Sequence, residues 1–166
     1  WLLIIFAGND TTRNTLSGGI KLLHDNQKQK ELLIDDLELL PNFVNETVRC
    51  VSPVIHMRRT TLEETEINGQ KIGPHEKIAL WYGAANRDPA IFENPDDFNI
   101  FRENSDKHLA FGFGRHSCIG KPVALMQLQE FYSQFLTRFP DFEMNGKWKV
   151  APNNFVHAIQ AVSYTH

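Results

Sequence analysis

Cysteine is scarce in this chain, with two thiols, Cys50 and Cys118, in 166 residues. That excludes a disulfide-stapled scaffold and, with nothing secretory in view, points to a reducing compartment. Positive charge is also short. Lysine and arginine number 17 against 20 acids, a net charge of −3, so no basic excess suggests a nucleic-acid partner. No apolar run reaches the roughly 18–20 residues that span a bilayer. Repeats, low-complexity stretches and linkers are missing too, so nothing argues for two domains. What remains, 42% hydrophobic and 22% charged, describes a soluble globular protein long enough for one domain with a buried core.

The chain opens on WLLIIFA, apolar throughout, with no methionine and no capping residue before it. A signal peptide would place a basic stretch ahead of such a run, and none is present. A helix apolar on all sides is a central one, surrounded by other elements. The chain is therefore expected to start inside a buried helix, as a fragment whose N-terminal surroundings are missing. That helix is predicted to reach about Leu23, with Gly8 and Gly18-Gly19 as weak points. A short polar helix is predicted over residues 27–33. The next opens on Pro41, a good first-turn residue, and stops at Ser52-Pro53, because the position before proline disfavours helix. Phe43, Val44, Thr47, Val48 and Val51 line one face of it, and Asn42, Asn45, Glu46 and Arg49 the other.

Strand signals follow. Residues 55–61 and 64–67 meet an Asn68-Gly69 hairpin turn, answered by 70–72 and then 77–81. Residues 86–106 carry two prolines and many turn formers and read as a long ordered meander. A glycine-rich loop, FGFGRHSCIG at 111–120, leads into an amphipathic helix from about Ile119 to Arg138. Its stripe is Val123, Leu125, Leu128, Phe131, Tyr132, Phe135, Leu136 and Phe139. The tail, 150–165, reads as short strands.

Three places carry chemistry. Cys118 sits just before a helix with Pro122 in its first turn, where unpaired N–H groups and the helix dipole stabilise a thiolate. Gly112, Gly114 and Gly120 let the backbone turn tightly around it, and Gly120 leaves room for something flat and large. An inert buried cysteine is the common alternative. A nucleophile served by His116 is disfavoured, because a residue two positions away on a tight turn is a poor general base. Zinc is disfavoured as well, since no second cysteine or histidine pair stands nearby. Glu46 and Arg49, three apart on a helix, can pair, which on an exposed face stabilises little. Residues 7–12, AGNDTT, combine a small residue, an acid and hydroxyls. Thr11 can bond back to a carbonyl one turn earlier, and Asp10 can relay protons. The alternative is a capping-like cluster on an exposed helix, against which the apolar run before it argues for burial.

The pattern F-x-x-G-x-x-x-C-x-G, here Phe111, Gly114, Cys118 and Gly120, resembles the heme-binding signature of the cytochromes P-450. Glu46-x-x-Arg49 resembles that family's E-x-x-R motif, and AGNDTT its A-G-x-D-T-T segment over the distal face of the heme. The resemblance covers essentially the whole chain and corresponds to somewhat less than half of a family member. It implies a mainly α fold with small β-sheets, the cytochrome P-450 fold in its C-terminal heme-binding half, with residues 1–166 as part of a single domain. It implies heme b with Cys118 as the thiolate ligand to iron, and a cofactor site shared by Phe111, Gly112 and Gly120. Arg59, rather than Arg58, and His116 are then the propionate partners. Asp10 and Thr11 become the catalytic groups, and Glu46 with Arg49 a structural lock behind the cysteine loop. The family often adds an arginine from a P-x-R-F motif; here Pro95-Asp96-Asp97-Phe98 puts Asp97 in that place, with Arg102 able to substitute.

The implied reaction inserts one oxygen atom of O2 into a C–H bond. Electrons would come from NAD(P)H through a ferredoxin reductase and a ferredoxin docking near Arg115 and Lys121, in a soluble cytoplasmic bacterial protein. GNDTTRN at 8–14, HMRRT at 56–60 and LWY at 80–82 look most like the bacterial alkane terminal-hydroxylase branch. The pocket residues would be Ala7, Gly8, Val54, Ile55 and Phe155, all apolar. They suit a medium-chain alkane or fatty acid, with a terpene or steroid as the alternative. A noncatalytic heme-binding protein is the reading from another class, and Asp10-Thr11 argue against it.

Overall fold

The computed structural model describes residues 2–145, 148–157, 159–161 and 164–165. Helix α1 (Leu2–Asp25) runs into α2 (Gln27–Asp35), and a single 3-10 turn leads to α3 (Leu40–Val51). Pro41 lies in the first turn of α3, and Ser52 closes it at φ 43° with its N–H on Val48 O at 3.0 Å. Pro53 cannot extend the helix. Helix α5 (Lys121–Arg138) packs with α1 against α3.

The core lies where these helices meet. Ile20 and Leu23 of α1, Leu33 of α2, Phe43, Val44 and Val48 of α3, and Leu128, Tyr132, Phe135 and Leu136 of α5 are buried together. The Phe43 ring meets Tyr132 edge-on at 4.7 Å between centroids. Gly18 and Gly19, expected as weak points, lie within an unbroken α1. A Cβ on Gly18 would strike Val51, and one on Gly19 would strike the Tyr132 hydroxyl. These glycines let α1 approach both neighbours closely, and the packing outweighs their low helix propensity.

Two small antiparallel pairs stand beside the helices, β1 (His56–Thr60) with β4 (Lys77–Trp81) and β2 (Thr65–Ile67) with β3 (Gln70–Ile72). Asn68 and Gly69, at φ 50° and 79°, make the turn between β2 and β3, the left-handed pair that a two-residue hairpin needs. A short helix α4 (Tyr82–Ala85), which the sequence reading missed, precedes the meander. Two-residue ladders in the tail pair β5 (Glu143–Met144) with β8 (Tyr164–Thr165) and β6 (Lys149–Val150) with β7 (Ile159–Ala161). Among the described residues no helix is long and apolar enough to cross a membrane.

Two burial expectations are corrected. Ile4, Ile5 and Phe6 are 69%, 64% and 45% exposed, because no described element covers the first turns of α1. Val123 is also exposed. Helix α5 begins at Lys121, and its first turn flanks the cysteine loop instead of lying over the core.

Candidate active site

The cysteine loop is built by two glycines. Gly112 and Gly114 take φ 72° and 67°, the left-handed region that side chains resist. The backbone then folds back on itself. Gly112 N–H donates to Leu109 O at 2.8 Å, Ser117 N–H to Gly114 O at 3.1 Å, and Cys118 N–H to Phe111 O at 2.8 Å. Gly120 differs, since its φ of −82° suits any residue. A Cβ there would lie 3.7 Å from Cys118 Sγ, so its smallness keeps the sulfur's surroundings open. The thiol is exposed. Beside it Ile119 is 100% and Phe113 83% exposed.

A loop that exposes a thiol and leaves two large apolar side chains uncovered is a surface that a flat, apolar, metal-bearing group would cover. Among the described residues no three His, Cys, Asp or Glu side chains group as they would around a bare metal ion, and Cys118 is the thiol this loop would offer to a metal-bearing group. Heme fits these residues. His116 lies exposed on the loop's 3-10 turn. Phe111 is half-buried, its ring 5.6 Å from His108, with the Lys121 ammonium 5.6 Å from its centroid. His108 is buried, and burial first, then the nearby Lys121 charge, lowers its pKa to about 4.

Behind the loop lies a buried ionic cluster. Glu46 and Arg49 are both 0% exposed, so the face that looked polar in the sequence points into the protein. The Glu46 carboxylate accepts from Arg49 Nε and Nη2, each at 2.8 Å, from Arg102 Nε at 3.0 Å and from Asn99 N–H at 3.0 Å. Burial opposes charge on Arg49, but its hydrogen bond to Glu46 and the surrounding charges outweigh that, and its pKa is raised. The remaining guanidinium N–H groups reach backbone carbonyls. Arg49 donates to those of Asn86, Pro95 and Asp97, and Arg102 to those of Glu93, Asn94 and Asp97. Asp97 thus takes part through its carbonyl, while the third charged member comes from Arg102.

On α1 the Thr11 hydroxyl donates to Ala7 O at 2.6 Å. Asp10 pairs with Arg13 at 2.9 Å on the exposed side, so its carboxylate faces a guanidinium here. Ala7 and Gly8 are exposed, and nothing lies within 4 Å of a Cβ on Gly8. The fold joins the two C-terminal segments that were expected to line a pocket. Val54 bridges Val156, and Ile55 N–H donates to Phe155 O at 2.9 Å. Arg59, half-buried on β1, gives one N–H to Arg58 O at 3.0 Å, which leaves most of its fork for a carboxylate. Arg58 is exposed. Helix α1 and α5, the helix that follows the cysteine loop, meet through Tyr132, whose hydroxyl lies 2.9 Å from Leu16 O and 3.1 Å from Thr15 O. The residue that sequence reasoning missed is Asn86, fully buried between α3 and the cysteine loop. Its local context, Asn-Arg-Asp-Pro, signals only a turn.

These features suit a site in which one cysteine holds a heme, and the comparisons show the family. The family model for Cytochrome P450 matches residues 1–160. The chain is 39% identical to linalool 8-monooxygenase of Pseudomonas putida over 158 residues, 95% of this chain and 39% of that protein. It is 40% identical to steroid C26-monooxygenase of Mycolicibacterium smegmatis over 93% of this chain and 39% of that one. The structure of cytochrome P450-153 from Novosphingobium aromaticivorans superposes with a TM-score of 0.93 at 41% identity, over 98% of this chain and 42% of its own. The chain belongs to the cytochrome P450 family and has part of that fold. It spans about two fifths of the length of these relatives.

Proposed function

We propose that this chain is the C-terminal, heme-binding part of a single cytochrome P450 domain, and that the whole protein is a monooxygenase hydroxylating an apolar substrate. The observation that carries it is Cys118, exposed on a two-glycine loop just before α5 that also leaves Ile119 and Phe113 uncovered. Heme b, once bound, supplies the activation of O2, helped by electron density from a thiolate ligand. The chain's own residues do the rest. Cys118 would hold the heme iron through its thiolate, and Arg59 and His116 would take the propionates, for which a guanidinium fork is well shaped. Phe111, Gly112 and Gly120 shape the surface beneath. Thr11, with its proton committed to Ala7 O, has its oxygen free to accept a hydrogen bond. Asp10, once turned from Arg13, carries protons inward.

Electrons come from NAD(P)H through a ferredoxin reductase and a ferredoxin. Arg115 and Lys121 flank the ligand, and cations there steer an acidic partner. Charge reversal at both should slow reduction and flatten its salt dependence. An unchanged rate and salt slope would remove them from docking.

The substrate we propose is a medium-chain alkane or fatty-acyl chain. Ala7, Gly8, Val54, Ile55 and Phe155 offer no polar anchor, and such walls bind by area, at about 0.8 kcal/mol per buried CH2. A terpene or steroid is the second reading, favoured by relatives named for linalool and for a steroid. Apolar walls discriminate weakly between hydrocarbon shapes. Two measurements test the proposal on the full-length protein. The reduced carbon-monoxide adduct should show the red-shifted Soret band of thiolate ligation, and a histidine-like band would end it. Incubation with octane and with a cyclic terpene should yield 1-octanol; oxidation of the terpene alone would reverse the substrate assignment.

A further inference from the structure

Asn86 is 0% exposed, and both ends of its side-chain amide are used. Its Nδ2 donates to Ser52 Oγ at 2.8 Å, and the Ser52 hydroxyl donates onward to Arg49 O at 2.9 Å. Its Oδ1 accepts the Leu109 N–H at 2.6 Å. Donors and acceptors run in one direction along this line, which settles the way the amide faces: a backbone N–H can be met only by the oxygen. The backbone of Asn86 joins in, since its carbonyl accepts from Arg49 Nη1 at 2.8 Å and its N–H donates to Tyr82 O at 2.8 Å. Asn86 thus ties the end of α3 to the segment that opens the cysteine loop. From there, Leu109 O holds Gly112 N–H, and Phe111 O holds Cys118 N–H, each at 2.8 Å.

We infer that Asn86 is a positioning residue that fixes the Cys118 loop to the buried Glu46–Arg49–Arg102 cluster, so that the place of the sulfur follows α3. This rests on Cys118 being the iron ligand, as proposed above. A buried N–H without a partner is costly. Without the Asn86 oxygen, Leu109 must either strand its N–H or shift the segment that carries Phe111. The side chains of the cluster cannot by themselves prevent this, because among the described residues their hydrogen bonds end on one another, Cys50, Asn86, Asn99 and the meander carbonyls of residues 93, 94, 95 and 97.

The experiment uses the full-length, heme-loaded protein with Asn86→Leu, Asn86→Asp and a core control, Leu33→Ala, compared at temperatures equally far below their melting points. Two readouts are followed: amide hydrogen exchange at Leu109, and the rate at which the thiolate Soret band of the reduced carbon-monoxide adduct is lost. Asn86→Leu should speed both about tenfold relative to the control, the scale of one lost buried hydrogen bond. Asn86→Asp keeps an oxygen for Leu109 but must turn the Ser52 hydroxyl away from Arg49 O, so it should fall between them, and it carries both readouts if the leucine variant does not fold. Equal band loss in the Asn86 variants and Leu33→Ala, or unchanged Leu109 exchange, would overturn the inference. A wild type lacking the thiolate band would instead refute ligation by Cys118, and the exchange arm alone would then decide whether Asn86 anchors the loop.

Discussion

Replacing Arg102 with methionine tests whether the buried cluster is built as its hydrogen bonds indicate. Methionine keeps the stem and removes the guanidinium, whose Nε holds Glu46 at 3.0 Å and whose Nη atoms hold the carbonyls of Glu93, Asn94 and Asp97 at 2.6, 3.2 and 3.0 Å. Breaking a buried ion pair outright costs about 3–5 kcal/mol because a charge is stranded. Glu46 would not be stranded here, since Arg49 keeps two N–H groups on it. Glu93 and Asn94 are exposed, so water can replace the donors to their carbonyls. One charge-assisted bond in the interior is the main loss, and the expected destabilisation is about 2–3 kcal/mol. Arg102→Lys should recover little of it, because one ammonium cannot span acceptors that three nitrogens now share. Asp97→Asn should stay within about 0.5 kcal/mol of wild type, because Asp97 contributes its backbone carbonyl. Equilibrium urea unfolding of the full-length protein, with heme retention followed in parallel, would measure all three. If Arg102→Met were neutral and Asp97→Asn costly, the cluster would be organised around the wrong residue.

Three further outcomes are expected. His108, held near 4 by burial and by Lys121, with Asp106 and Arg49 adding smaller opposed effects, is neutral in the folded state while an unfolded histidine charges near 6.5. The unfolded chain therefore binds more protons between those values, and stability should fall as pH drops from about 6.5 to 4, by up to about 1.4 kcal/mol per unit. Urea unfolding at pH 7 and pH 4.5 should show His108→Asn losing less than wild type, and equal losses would discard this assignment. Burial, aided by Glu46, pushes the Cys50 thiol up to about 11 from 9.0. Alkylation of Cys50 at neutral pH should thus run about a hundredfold below an ordinary thiol, which peptide mapping would read; labelling at an ordinary rate would contradict it. Thr11→Ala in the full-length enzyme should keep the thiolate spectrum while diverting reducing equivalents to peroxide. Unchanged coupling of electron consumption to product would take Thr11 out of the reaction.

Much of this protein is legible in its residue order because it depends on near neighbours. Pro41 and Pro53 bracket α3, Asn68-Gly69 turns the hairpin, and glycines at 112 and 114 permit a loop that only left-handed φ can close. The spacing of Cys118 from those glycines and from α5 is also local, and with Glu46-x-x-Arg49 and AGNDTT it was enough to reach the family. Burial is not local. Glu46 and Arg49 resemble a solvated helix pair until the meander closes over them with Arg102 and Asn99, roughly fifty residues away in the chain. Ile4, Ile5 and Phe6 look like the inside of a protein, yet they stand exposed because burial needs a second element to supply the other wall. Asn86 carries no signal of its own, since its partners lie 34 residues back and 23 ahead. Sequence by itself determined the turns, the helix ends, the cysteine loop and hence the family. Tertiary structure alone decided which charges are buried and what ties the loop to the core, because desolvation and hydrogen bonding between distant segments exist only once the chain has closed.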